Sequence, residues 1–202
     1  SVVSAGYYFT CGIRDGKLYR WGEDITMEIS GGIKEPSQIG TMSNWTDVSA
    51  GYVHFCGIES GKLFCAGNNY YGNLGDGTET AKTDPVQVGT ENDWQTVSTG
   101  DFHTCGIKSG ELYCWGYNND GQLGSGPFEK STVPVRVGDK NDWTYISAGS
   151  KATCGIRSGL LFCWGKNEQS LFGDETIYSE PTQIGSDSGW TKITAVYIHD
   201  HG

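Results

Sequence analysis

Residues 103–126 read HTCGIKSGELYCWGYNNDGQLGSG. Two short runs of strand-forming residues, His103–Ile107 and Glu111–Gly116, flank Ser109-Gly110, a two-residue signal of a tight β-hairpin. Such a turn sets the register. Ile107 faces Leu112, Gly106 faces Tyr113, and Cys105 faces Cys114. Tyr117 to Gly126 is a polar loop rich in Asn and Gly, leading to a further strand at Val133–Gly138. With Trp94–Gly100 upstream, the segment predicts four antiparallel strands.

The same unit recurs along the chain. Trp45, Trp94, Trp143 and Trp190 are spaced by 49, 49 and 47 residues, and Pro36, Pro85, Pro134 and Pro181 share those spacings. Trp21, Trp115 and Trp164 form a second tryptophan column in which Ala66 takes the place of Trp. Cys11, Cys56, Cys105 and Cys154 form another. The period predicts one repeat domain over 1–202, with repeats at about 1–44, 45–93, 94–142 and 143–189 and a partial fifth over 190–202. Gly12, Gly57, Gly106 and Gly155 each face an aromatic across the hairpin, which is expected to cover the bare backbone.

Composition agrees with an all-β chain and narrows the partners. The 202 residues include 31 Gly, 7 Trp and only 2 Met, and the glycines keep no three-residue period, which excludes collagen. Acidic residues outnumber basic ones by 24 to 14, a formal charge of −10, so no nucleic-acid partner is expected. No apolar run approaches membrane-span length, and neither membrane insertion nor a signal peptide is read.

Cysteines opposed on an antiparallel pair have Cβ atoms about 4.5–5.5 Å apart, close enough to bridge. Register therefore predicts three disulfides, Cys56–Cys65, Cys105–Cys114 and Cys154–Cys163. Cys11 faces Arg20 and is left free, paired between chains, or paired outside this stretch. Disulfides imply an oxidising compartment, hence secretion or display at the cell surface. Asn44-Trp45-Thr46 is the chain's single glycosylation sequon.

The run from His103 to Gly126, with Pro134-Val-Arg-Val and Trp143-Thr-Tyr-Ile-Ser-Ala-Gly149, resembles the regulator of chromosome condensation repeat. The resemblance rests on a Trp-Gly-x-Asn-x-x-Gly-Gln-Leu-Gly core and extends over essentially the whole chain. Repeat two keeps Gly72-Asn-Leu-Gly75, repeat four reads Ser170-Leu-Phe-Gly173, and repeat one loses the loop from Glu23 to Gly32. It implies a β-propeller, usually of seven four-stranded blades. About four blades and a remnant are present, so an open arc or a slice of a larger ring is expected. Unpaired edges of such an arc invite association.

Members of the resembling family act as exchange factors for a small GTPase, as chromatin binders and as inhibitors of β-lactamase. Their functional residues do not carry over, because the match lies in scaffold positions. The chain offers little catalytic chemistry of its own. His54 and His103 share one repeat column and read as polar caps on the hairpin, not as a metal or catalytic pair. His199 and His201 stand two apart near the C-terminal end, a weak metal pattern. Gly72–Gly77 lacks the Lys-Ser/Thr of a phosphate loop, and Asp76, Asp120 and Asp174 read as solvated turn residues. No enzyme activity, cofactor or metal is expected. Aromatics outside the repeat columns, Tyr7, Tyr8, Tyr52, Tyr70, Tyr71, Phe102, Tyr117 and Phe128, fall in loops that collect on a propeller face and are the candidate partner-binding residues. The expected function is a non-enzymatic extracellular protein-interaction module. The alternatives are a structural subunit joined to itself through blade edges, a glycan-binding lectin, and an enzyme-inhibitory propeller.

Overall fold

The computed structural model describes residues 1–26, 32–167 and 177–195. Within them sixteen strands form four sheets, each a four-stranded antiparallel meander in sequence order. The first blade holds β1 (Val2–Ala5), β2 (Phe9–Arg14), β3 (Lys17–Gly22) and β4 (Ile33–Gln38). The second holds β5 (Trp45–Ala50), β6 (His54–Glu59), β7 (Lys62–Gly67) and β8 (Lys82–Gln87). β9 (Trp94–Thr99), β10 (His103–Lys108), β11 (Glu111–Tyr117) and β12 (Lys130–Arg136) make the third. β13 (Trp143–Ala148), β14 (Ala152–Arg157), β15 (Leu160–Lys166) and β16 (Ile177–Gln183) make the fourth. No helix among the described residues is long and apolar enough to cross a membrane.

The central hairpins have the expected register. Cys56 pairs with Cys65, Cys105 with Cys114 and Cys154 with Cys163 across their ladders, and each pair is a disulfide with Cα atoms 4.1 Å apart. Both turn residues have positive φ, 49° and 75° at Ser109-Gly110, the geometry whose twist matches the flanking strands. The fourth strand departs from expectation: β12 begins at Lys130, ahead of Val133, and ends at Arg136. Its pairing jumps from Gly116↔Ser131 to Cys114↔Val135, leaving Pro134 in a bulge on an edge strand. Pro36, Pro85 and Pro181 fall in the same bulge of their blades. There a missing N–H breaks no ladder bond.

Buried apolar residues gather between sheets, and among the described residues they form three inter-blade cores. Trp45, Trp94 and Trp143 start the first strands of their blades and are only 3–4% exposed. Their rings press against the hairpin glycines: a Cβ added at Gly106 would stand 2.7 Å from Trp94, and one at Gly155 2.7 Å from Trp143. The ring covering each of these glycines is thus the first-strand tryptophan. Tyr113, expected in that role, packs against Trp94 edge-on at 5.9 Å.

First strands lie side by side in chain order and are linked by side chains that cap their inner edges. Ser4, Ser98 and Ser147 accept hydrogen bonds from the N–H groups of Ala50, Ala148 and Ala195 at 2.8–2.9 Å. Residues 190–195 form no strand, yet they take the first-strand place of a fifth blade. Trp190 N–H donates to Gly159 O as Trp45, Trp94 and Trp143 do to Gly16, Gly61 and Gly110. Five such segments line an open groove of about 570 Å³, so the sheets form an arc. Of the sequence features, Ser170–Gly173, Asp174, His199 and His201 lie outside the described residues. The meander sorts the connections onto two faces, with β1–β2 and β3–β4 type loops on one and hairpin turns and blade-to-blade links on the other.

Candidate interaction face

Short loops after the first strands are drawn into line by the blade contacts. Gly6 N–H donates to Phe9 O and Gly51 N–H to His54 O, closing each loop, while Tyr7 N–H donates to Gly51 O and Tyr52 N–H to Gly100 O of the next blade. A Cβ at Gly6 or Gly51 would stand 2.3 Å from that carbonyl, so only glycine permits the approach. The residues that follow these glycines, Tyr7, Tyr8, Tyr52 and Phe102, therefore emerge side by side.

The longer β7–β8 and β11–β12 loops reach the same face, each wound around one asparagine. Asn69 Oδ1 accepts from Leu74 N–H while its amide donates to Thr78 O; Asn118 does the same with Leu123 N–H and the carbonyls of Gly126 and Phe128. The result is a continuous run of six rings. Tyr7 touches Tyr8 and Tyr52 at 4.5 and 5.0 Å between centroids, Tyr52 touches Phe102 at 5.6 Å, Phe102 touches Tyr71 at 5.2 Å, and Tyr71 touches Tyr117 at 4.7 Å. Tyr7 and Tyr8 are 45% and 42% exposed, and Tyr70, beside Tyr71 on the β7–β8 loop, is 70% exposed. The Tyr8 and Tyr52 hydroxyls are 3.3 Å apart, and that hydrogen bond, with partial burial, pushes the Tyr52 phenol up to about 12. Phe128 stands apart, against the core between blades three and four and beside a cleft of about 310 Å³. Asn44 lies on the opposite face, exposed, with φ 75°.

The histidine column has a different role from the polar cap expected of it. His54 and His103 are 0% exposed, and each Nε2 lies 2.8 Å from a threonine of the next blade, Thr104 and Thr153. Those hydroxyls donate to Asn73 O and Gln122 O, which also accept from Trp115 Nε1 and Trp164 Nε1. A hydroxyl has one proton, so the histidine must donate from Nε2; Nδ1 has no partner, and burial pushes both imidazoles down to about 3. Both are neutral blade couplers. Between blades one and two the same positions hold Phe9, Phe55 and Ala66, with Phe9 and Phe55 rings 6.4 Å apart and Ile25 filling the space. Paired spacing of His and Thr by 50 residues was the available signal in the sequence. Cys11 is free, and its thiol is buried beneath the blade surface and pushed up by desolvation, out of reach of a second chain.

Residues 60–107 and 109–156 match the family described as the regulator of chromosome condensation (RCC1) repeat, and 94–122 match a second description of it. The chain contains regulator of chromosome condensation repeats. The units 60–107 and 109–156 each run from one hairpin turn to the next, joining the outer half of one blade to the inner half of its successor. Every unit thus contains both the loop carbonyl and the threonine of a blade coupling. Solved structures agree in fold: human WBSCR16 (TM-score 0.78, 20% identity, 92% of this chain and 54% of that one) and yeast RCC1, Prp20, in complex with Kap60 (0.77, 19%, 94% and 50%). Prp20p from Saccharomyces cerevisiae, described with its binding to Gsp1p and histones, gives 0.77 at 19% identity over 93% and 52%. The chain spans about half the length of these structures. A search of curated proteins finds no match by sequence.

Proposed function

We propose that this chain is a non-enzymatic extracellular interaction module that binds another protein through the aromatic ridge from Tyr7 to Tyr117. The contiguity of six loop rings across three blades carries the reading. None of them belongs to the tryptophan, cysteine, proline or histidine columns of the repeat, and tyrosine offers large, rigid contact area with a hydroxyl at its edge. Three disulfides favour an oxidising location. Propellers of the same fold are described with protein partners, Kap60 for yeast RCC1 and Gsp1p and histones for Prp20p.

A photo-cross-linking residue at Phe102, against a control at Glu59 on the opposite face, tests this in native extracellular fluid. A protein adduct from position 102 alone, lost in a Tyr8→Ser/Tyr52→Ser variant, is expected. Equal labelling from both faces, or none, overturns it, and selective hits on a glycan array would turn the ridge into a lectin site. One observation favours a second reading, self-association through the blade-one side. Val3 is 70% exposed, whereas its equivalents Val48 and Val97 are 4–5% exposed beneath a neighbouring blade. A molecular mass that rises with concentration, and falls on Val3→Lys, is the outcome that reading needs.

A further inference from the structure

We propose that Asn44 is the acceptor for an N-linked oligosaccharide, a modification that rests on the extracellular reading above and leaves the ridge uncovered. Asp93 and Asp142 occupy the same position before the first-strand tryptophan, and each accepts a hydrogen bond from the hairpin-turn serine of its own blade, Ser109 Oγ at 2.7 Å and Ser158 Oγ at 2.6 Å. In blade two that link is dissolved. Ser60 Oγ donates to Glu59 at 2.9 Å, and Asn44 meets Ser60 only through its main-chain carbonyl, at 3.3 Å to the Ser60 N–H. The Asn44 side chain thereby lacks the serine contact that Asp93 and Asp142 make.

Its surroundings suit a bulky substituent. Asn44 adopts the left-handed conformation that asparagine tolerates, at φ 75°, and is exposed together with Thr41 and Ser43. A Cβ built at nearby Gly40 meets nothing within 4 Å. Folding also dates the reaction. Trp45 is 3% exposed and the Thr46 hydroxyl donates to Ile58 O at 3.3 Å, so the sequon is engaged once β5 pairs with β6. Transfer therefore precedes that pairing. The Asn44 Nδ2 forms a bond to the anomeric carbon of a lipid-diphosphate-linked oligosaccharide, whose C–O bond breaks and releases the lipid diphosphate. The amide proton passes to a base of the transferase. Asn44 lies on the face of hairpin turns and blade links, so the sugar extends away from Tyr7, Tyr52 and Tyr117.

Secretion of the whole chain from a eukaryotic cell, with mass spectrometry before and after peptide-N-glycosidase, tests the assignment. One glycan at Asn44 is expected, lost in Asn44→Gln and Thr46→Ala and kept in Thr46→Ser. Asn44→Gln secreted with all three disulfides shows that its loss is not misfolding. Secreted wild-type chain with three disulfides and a bare Asn44 overturns the proposal while sparing the extracellular reading. A chain that cannot be secreted in oxidised form removes that reading, and the proposal with it.

Discussion

Replacing Thr104 by valine isolates the coupling between blades two and three, because it removes one hydroxyl and keeps the shape. Two hydrogen bonds of 2.8 Å disappear, from His54 Nε2–H and to Asn73 O. Asn73 O keeps the Trp115 Nε1 donor at 3.0 Å, so only the imidazole N–H is stranded. His54 is 0% exposed and its Nδ1 already lacks a partner, so the ring has no alternative bond within reach. An unsatisfied buried donor costs about 1–3 kcal/mol, and this site, dry and fully enclosed, belongs near 2–3. Adding His54→Phe removes the stranded group and reproduces the phenylalanine found at Phe9. The double variant is therefore expected to recover all but about 1 kcal/mol. Thr10→Val, in the same column but on the side of blade one that no described blade covers, should change stability by under about 0.5 kcal/mol. Urea melts of the oxidised proteins, followed by tryptophan fluorescence with slopes compared, provide the measurement. Equal effects of Thr104→Val and Thr10→Val, or a double variant weaker than Thr104→Val alone, would refute the coupling.

Other expectations come from the same geometry. Burial holds His54 and His103 near 3, below their unfolded value of about 6.5, so the unfolded chain binds more protons between those limits. Their contribution is complete above about pH 6.5 and is lost as pH falls toward 3, by up to about 1.4 kcal/mol per pH unit for each histidine; pH-dependent melts of the His54→Phe/Thr104→Val variant should lose one histidine's share of that slope. Arg20→Cys places a partner opposite Cys11 in the register of the other three bridges, so the thiol count of the denatured oxidised chain should fall from one to zero. Closing a loop of that length stabilises by about 2–3 kcal/mol in the chain-entropy view, visible as a raised urea midpoint. Gly106→Ala drives a methyl to 2.7 Å from the Trp94 ring and should cost about 1–3 kcal/mol by overpacking, read as a lowered midpoint with weakened near-ultraviolet tryptophan dichroism.

Hairpin register was legible in the sequence because a two-residue Ser-Gly turn leaves no freedom in pairing; three disulfides followed from that constraint alone. The edge strands were less legible. Proline at 134 points to a strand end or a bulge, and only the pairing shows three residues looped out opposite Trp115. Contacts between blades were the least legible, because a repeat reports what recurs and not what its residues touch. Gly106 was paired by register with Tyr113, yet its cover comes from Trp94, which begins the same blade twelve residues earlier. The histidines failed for a related reason: a polar residue in a column looks like a surface cap until its threonine partner, 50 residues away, is seen to approach it.

The same distinction separates scaffold from candidate function. Couplings repeat as matched sets, His with Thr and Trp in two interfaces and Phe with Phe and Ala in the third, because each blade side must complement the one before it. The loop positions that build the ridge obey no such rule. After the column glycines the chain reads Tyr7-Tyr8, Tyr52-Val53, Asp101-Phe102 and Ser150-Lys151, so the aromatic character runs out at the fourth blade. The His–Thr–Trp and Phe–Phe–Ala couplings between blades use none of these rings. What the scaffold does supply is spacing, since each column glycine lets one loop approach its neighbour closely enough for rings from different blades to touch. The ridge is thus an aperiodic surface laid on a periodic frame, and its partner is to be sought by varying the rings while leaving the glycines alone.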